Sequence, residues 1–218
     1  MERQIQIIQN ATLPLLEGFV KMTLPLTLLS FVLGLALAIM TALARNSKWK
    51  ALKGISSFYV WVFRGTPLLV QLFIIFYGLP KAGVQFDAFW AAVVAFSLNT
   101  GAYASETIRS ALSAIPKGQF EAASSLGMSR LQILWRIVAP QAFKIALPPL
   151  SNSFISLLKD TSLAASITIV EMFMAAQRIV ARTYEPLLLY VMVAVYYLVA
   201  TTFLTFIQGK LEMRMNRY

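Results

Sequence analysis

The chain contains no cysteine and no histidine. Disulfides, Cys/His zinc sites and cysteine or histidine nucleophiles are therefore excluded. An intramembrane metalloprotease and a haem carrier lose their usual ligands for the same reason. Charge is scarce as well. Only 13% of the 218 residues are charged, about half the share of an ordinary soluble domain. Acidic residues are the scarcest, 9 against 19 basic ones. No G-x-x-x-x-G-K-[ST] loop is present to cradle a nucleoside triphosphate, so the chain itself is not expected to hydrolyse ATP. A clustered acidic site of the kind a membrane enzyme would use is missing too. The first residues, Met1 to Asn10, lack the basic start and apolar run of a cleavable signal peptide and read as a short interfacial segment.

What remains is apolar: 58% of the residues are hydrophobic, and they come in blocks. A helix needs about 20 mostly apolar residues to cross a bilayer. Five blocks qualify, at about Leu24–Ala44, Ile55–Leu79, Phe89–Leu112, Ile145–Phe173 and Leu187–Ile207. Pro80 closes the second, and Pro148-Pro149 reads as the start of the fourth, where missing amide donors cost little. The pattern predicts an all-α integral membrane protein, a single transmembrane domain over 1–218, with a polar loop at about 113–141.

Basic residues set the orientation. Arg45, Lys48, Lys50 and Lys53 follow the first span; Lys117, Arg130, Arg136 and Lys144 lie between the third and fourth; Lys210, Arg214 and Arg217 close the chain. The other side carries only Arg3, Lys21, Lys81, Arg178 and Arg182. The positive-inside rule puts the N-terminus outside and the C-terminus in the cytoplasm. It also accounts for the net charge of +10 without a nucleic-acid partner. Five helices make a small pore wall, so a second copy or a paralogue is expected to complete the pathway.

The 113–141 loop is too polar to span and too patterned to be a linker. Glu121 is placed to complement a helix start. Ala122 and Ala123 add no bulk, so another surface can approach. Gly127 suits a left-handed helix end. Ser129 with Gln132 three residues on forms a capping box for a second short helix. Leu131, Leu134, Trp135 and Val138 fall on one apolar face, and Pro140 is expected to stop it. Two short helices with a sharp joint follow. They either dock another protein or seal the bundle at the membrane surface.

Glu121-Ala122-Ala123, Gly127, Ile137 and Pro140 resemble the "EAA" signature of bacterial importers driven by ATP-binding cassette subunits: Glu-Ala-Ala, three residues, Gly, nine residues, Ile, any residue, Leu-Pro. Ala139 stands where Leu is usual. Phe63 to Gln71, Ser97 to Tyr103 with Glu106, and Leu158 to Leu163 look like the polar amino-acid permeases of this superfamily. Leu147 to Ser156 is similar to cystine-type permeases in particular. The resemblance covers nearly the whole chain. It implies the transmembrane subunit of a type I importer in the bacterial cytoplasmic (inner) membrane. The loop would be the coupling helix, with Glu121, Ala122, Ala123 and Gly127 shaping the surface that meets the ATPase. The implied partners are a second permease chain (a homodimer), two ATPase subunits and an extracytoplasmic solute-binding protein. No cofactor is implied in this chain; ATP and magnesium would sit in the ATPase. A stand-alone secondary carrier or channel for a small polar solute is the alternative, with Lys159 and Asp160 as an ion relay.

Charged side chains within spans cost about 2.5–3.5 kcal/mol each at the centre, so four stand out: Arg64, Glu106, Lys159 and Asp160. Adjacent helix positions point about 100° apart, so Lys159 and Asp160 cannot face one spot, and at least one needs a partner elsewhere. Glu106 and Arg64 suit by sign. An amino-acid zwitterion needs a cation or amide donors for its carboxylate and an acid for its ammonium. Lys159 with Asn99 and Thr66 could serve the first, and Glu106 or Asp160 the second; Tyr103 belongs to the set by resemblance. The same charges could instead pair with one another. Gly65 and Pro67 are expected to shape a broken helix. Gly34 is expected to allow close helix packing. Trp61, Trp90, Tyr190, Tyr196 and Tyr197 read as lipid or interface anchors.

Overall fold

The computed structural model describes residues 2–215, and among these every regular element is a helix. The first is far longer than one span. α1 (Glu2–Gly18) passes through a π turn (Phe19–Thr23) into α2 (Leu24–Arg45), giving one 44-residue helix from Glu2 to Arg45. The expected interfacial segment is thus the start of this helix; Met1 lies outside the described residues. Ile7, Ala11 and Leu15 recur every four residues and are buried, and they pack with Met172, Leu189 and Val193. That apolar stripe gives the segment a tertiary partner, which composition alone did not reveal.

The second expected span is broken. α3 (Lys50–Gly65) meets the segment Leu68–Ala82, which begins with α4 (Leu68–Phe73), at 109°, with extended backbone at Thr66 and Pro67. A π turn (Ile74–Gly78) and a 3₁₀ turn (Leu79–Ala82) containing Pro80 finish the segment. α5 (Ala88–Ser113) matches the third expected span to within a residue. Asp87 caps it, accepting from the Trp90 amide at 3.0 Å.

After α5 come α6 (Lys117–Ser125) and α7 (Arg130–Ile133), then a π turn (Leu134–Val138) that runs straight into α8 (Ala139–Asp160). Pro140 therefore does not stop the chain. It sits in the first turn of α8, where the amide proton it lacks is least missed. Pro148 and Pro149 lie inside α8, not at a span start; membrane helices tolerate such prolines where neighbours re-satisfy the backbone. The 3₁₀ turn Thr161–Ile167 continues this helix, and α9 (Met172–Thr183) follows, bent by 50° from the Arg130–Ile167 unit. The fourth apolar block is thus the middle of a longer, broken unit. α10 (Pro186–Met215) closes the described chain.

Two helices, Glu2–Arg45 and Pro186–Met215, are long and apolar enough to cross a membrane, and four segments qualify if each bent pair counts as one. α5 has 26 residues, ample length, but it carries Ser97, Thr100 and Ser105 among its buried residues. It is the central helix. It buries small and polar side chains against its neighbours and so does not need an apolar exterior.

α2 and α5 pack through glycine. A Cβ on Gly34 would lie 2.9 Å from Thr100 Cβ, and one on Gly101 would lie 2.8 Å from the Tyr59 hydroxyl. Small residues let membrane helices approach this closely. Replacing Gly34 with Val should therefore push α2 from α5 and cost about 1–3 kcal/mol. The expected readout is a lowered thermal unfolding midpoint in detergent. Gly209→Ala, with open space around the added carbon, should leave the midpoint unchanged or slightly raised.

Candidate functional site

The break between α3 and α4 has a local cause and a tertiary repair. Pro67 has no amide proton, so the Phe63 carbonyl one turn earlier loses its regular donor. Two side-chain amides replace it. Gln71 Nε2 lies 2.9 Å from Phe63 O, 3.0 Å from Thr66 O and 2.8 Å from Thr66 Oγ1. Asn99 Nδ2 on α5 donates to Gln71 Oε1 at 3.0 Å and approaches Phe63 O at 3.3 Å. Thr66 Oγ1 in turn donates to Val62 O at 2.8 Å. Thr66 and Asn99, expected as donors to a solute, thus use donor groups on the bend itself.

Beside this bend lies a cavity of about 480 Å³. Of the seven expected solute residues, Thr66, Asn99, Tyr103 and Asp160 line it. Asn152, Ser153 and Ser156, polar residues spaced along α8, complete its polar wall. Asp160 is the sole charged lining residue. Lys159 falls outside the lining, on the adjoining face of α8. Neither Lys159 nor Asp160 has an ion pair among the described residues, which corrects the expected pairing with Glu106 or Arg64. Burial of this wall is partial, so Asp160 can be solvated from the cavity and needs no salt bridge.

Arg64 and Glu106 sit next to the cavity and not in its lining. Glu106 is salt-bridged to Arg45 at the end of α2, and to Arg109 one turn further along α5 at 2.8 Å. Arg64 reaches it more loosely, at 3.7 Å. The Arg64 guanidinium lies 5.4 Å from the centre of the Tyr103 ring, within cation–π range, and the Tyr103 hydroxyl points to the Arg64 carbonyl at 3.4 Å. Tyr103 therefore joins the cavity to the ionic cluster. Three guanidinium groups around one carboxylate leave Arg64 the cation least committed to Glu106.

The elbow between α6 and α7 is built from its own backbone. Gly127 has φ +75°, and its amide bonds Ser124 O at 3.0 Å while that of Met128 bonds Ala123 O at 3.2 Å. This is the double bond of a glycine-ended helix. Ser129 and Gln132 form the expected capping box. Other details differ from expectation. α6 starts at Lys117, so Glu121 lies mid-helix and outside the first turn. The buried face of the second helix is Ile133 and Val138, with Leu131 and Trp135 exposed; the π turn shifts the helical register. Ala123 is buried with Ala111, Ile115 and Ile133, so it holds the elbow to the bundle. Glu121, Ala122 and Gly127 are on the surface, beside Leu126, which is 82% exposed.

Two residues of consequence escaped the sequence. Gln71 lay within a quoted run but drew no role; its signal was an amide amid apolar residues. Glu171 was absorbed into the fourth block. It is fully buried and caps α9, accepting from the Phe173 and Met174 amides at 2.8 and 2.7 Å. The Tyr197 hydroxyl donates to it at 3.2 Å, so Tyr197 faces the interior and is not a lipid anchor. Tyr196 likewise points inward, to Thr12 at 3.2 Å.

Gln71→Leu should strip the Phe63 and Thr66 carbonyls of a donor and leave Asn99 half-paired. A loss of about 1–3 kcal/mol per unsatisfied group is expected. It should appear as a lower unfolding midpoint and as faster amide exchange around residues 63–71.

Comparison with known proteins places this geometry. The family described as binding-protein-dependent transport system inner membrane component matches residues 30–217. The chain is 49% identical over 213 residues to the L-cystine transport system permease protein TcyB of Bacillus subtilis, covering 97% of this chain and 91% of that protein. It is 39% identical to the arginine transport system permease protein ArtQ of the same organism, covering 95% and 96%. Among solved structures, one titled as an amino acid ABC transporter with histidines superposes with a TM-score of 0.90 at 36% identity, covering 95% of this chain and 96% of that one. The long first helix, the broken second segment and the capped elbow thus belong to a known architecture, and the chain belongs to the family of binding-protein-dependent transport system inner membrane components.

Proposed function

We propose that this chain is the permease subunit of an ATP-driven amino-acid importer, with a cystine-like solute favoured. The observation that carries this is a polar cavity with one carboxylate, Asp160, in a chain 49% identical to an L-cystine permease over nearly its whole length. Asp160 would face the solute ammonium. The solute carboxylate would be met by Arg64, whose contact with Glu106 is the loosest of the three arginines. Arg64 is joined to the lining through Tyr103, whereas Lys159 lies outside the lining with no such link and would not touch solute. Two copies of the chain supply two Asp160 carboxylates, one for each ammonium of cystine.

The elbow at Glu121–Gly127 would dock on the ATPase, with Leu126 as the apolar anchor. Two ATPase subunits would hold ATP and magnesium, and a solute-binding protein would deliver the amino acid from outside. The basic residues favour an N-terminus outside and a C-terminus inside, with five crossings in a single transmembrane domain over 1–218.

Asp160→Asn should lower ATP-dependent uptake by roughly tenfold or more, the weight of one charge-assisted bond, without loss of ATPase co-purification. Leu126→Ser combined with Glu121→Lys should do the reverse, losing the ATPase while the permease still folds. Robust uptake in vesicles given a proton gradient but no ATP would overturn the proposal in favour of a secondary carrier.

A further inference from the structure

A second concavity shares no lining residue with the solute cavity. It is a groove of about 340 Å³ between the α1–π-turn segment and α9. Gly18 forms its floor. A Cβ there would meet the Glu171 and Met172 backbone at 3.0 Å, so only glycine lets the two elements come so close. The rim is charged. Lys21, Arg178 and Arg182 line it with a single acid, Glu17. Lys21 and Glu17 pair with each other at 3.4 Å. Arg178 and Arg182, one turn apart on α9, have no ion pair among the described residues. The groove therefore presents two uncompensated guanidinium groups, with apolar side chains such as Pro14 and Ile179 in its walls.

Its depth follows from helix geometry. Lys21 precedes Arg45 on one uninterrupted helix, by about 36 Å at 1.5 Å per residue. The hydrocarbon core of a bilayer is about 30 Å thick. With Arg45 at one boundary, Lys21 reaches the headgroup level of the other leaflet, opposite the α6–α7 elbow. From the groove toward the core, α2 exposes Leu28 and Val32, on the same helix face as Lys21 by their spacing, a surface suited to acyl chains.

We propose that this groove binds the phosphate headgroup of an anionic membrane lipid, clamped by Arg178 and Arg182 with its chains along α2. Paired guanidinium groups match phosphate oxygens in geometry and charge. Bound there, the lipid bridges α1 and α9 and neutralises a positive pair that no carboxylate among the described residues offsets. The proposal is independent of the solute and of the ATPase.

The test is native mass spectrometry of the full-length chain titrated with phosphatidylglycerol and, separately, phosphatidylcholine of the same acyl chains. Wild type should retain phosphatidylglycerol selectively. Arg178→Gln with Arg182→Gln should weaken that retention roughly thirtyfold, the weight of two basic side chains beside anionic headgroups. Lys50→Gln with Lys53→Gln, at the other end of the molecule, should leave it unchanged. Equal retention by the arginine variant, or no preference for the anionic lipid, would overturn the proposal. So would displacement of the lipid by free amino acid, which would make the groove a solute site. Should the arginine variant not fold, photoactivatable phosphatidylglycerol on wild type decides. Crosslinks should fall within residues 14–32 and 170–182, and crosslinks confined to other segments would refute the assignment.

Discussion

A bilayer core offers no water to a broken helix, so every backbone group freed by an interruption must find a partner within the protein. The rest of the structure follows from how this chain meets that demand at Pro67. The Phe63 carbonyl is taken over by Gln71 and Asn99, one from the same broken segment and one from α5. The repair fixes the 109° turn between α3 and the segment Leu68–Ala82 and ties it to the central helix. The cavity exists because the turn opens space beside α5 and α8. Glu171 does the same service at the second break, where its carboxylate takes two free amides of α9 and the Tyr197 hydroxyl.

The central helix links the two functional regions. Asn99 and Tyr103 on α5 border the cavity, and Glu106 on the same helix gathers Arg45, Arg64 and Arg109. Further on, Ala111 packs with Ile115 and Ala123 under the elbow. Cavity, ionic cluster and elbow are thus strung along one rigid rod and the turn that follows it. Close packing of α2 on α5 at Gly34 and Gly101 stiffens that rod. A force applied at α6 has a short, well-packed route to the cavity wall.

Elements whose cause is local were legible in the sequence. The third block matched α5 because a long run between Asp87 and a proline-flanked polar loop leaves little choice. Gly127 and the Ser129–Gln132 box were readable because caps are made within a few residues. The prolines misled because their effect depends on surroundings. Pro140, Pro148 and Pro149 all lie within α8, whereas Pro67 marks a true break. Ion pairing was misjudged in the same way. Glu106 found Arg45, 61 residues away, and Arg109, while Lys159 and Asp160 found no one among the described residues.

The sequence by itself determined that the chain is an α-helical membrane protein with a patterned basic-side loop, because hydropathy, loop charge and helix caps act over short stretches. Only the tertiary structure decided which polar groups face a cavity, which repair the backbone and which pair with each other. Those roles depend on side chains from distant segments arriving at one place. Asn99 and Asp160 both line the cavity, yet Asn99 also holds the bend while Asp160 has no ion pair among the described residues. No spacing along the chain distinguishes the two; their neighbours in space do.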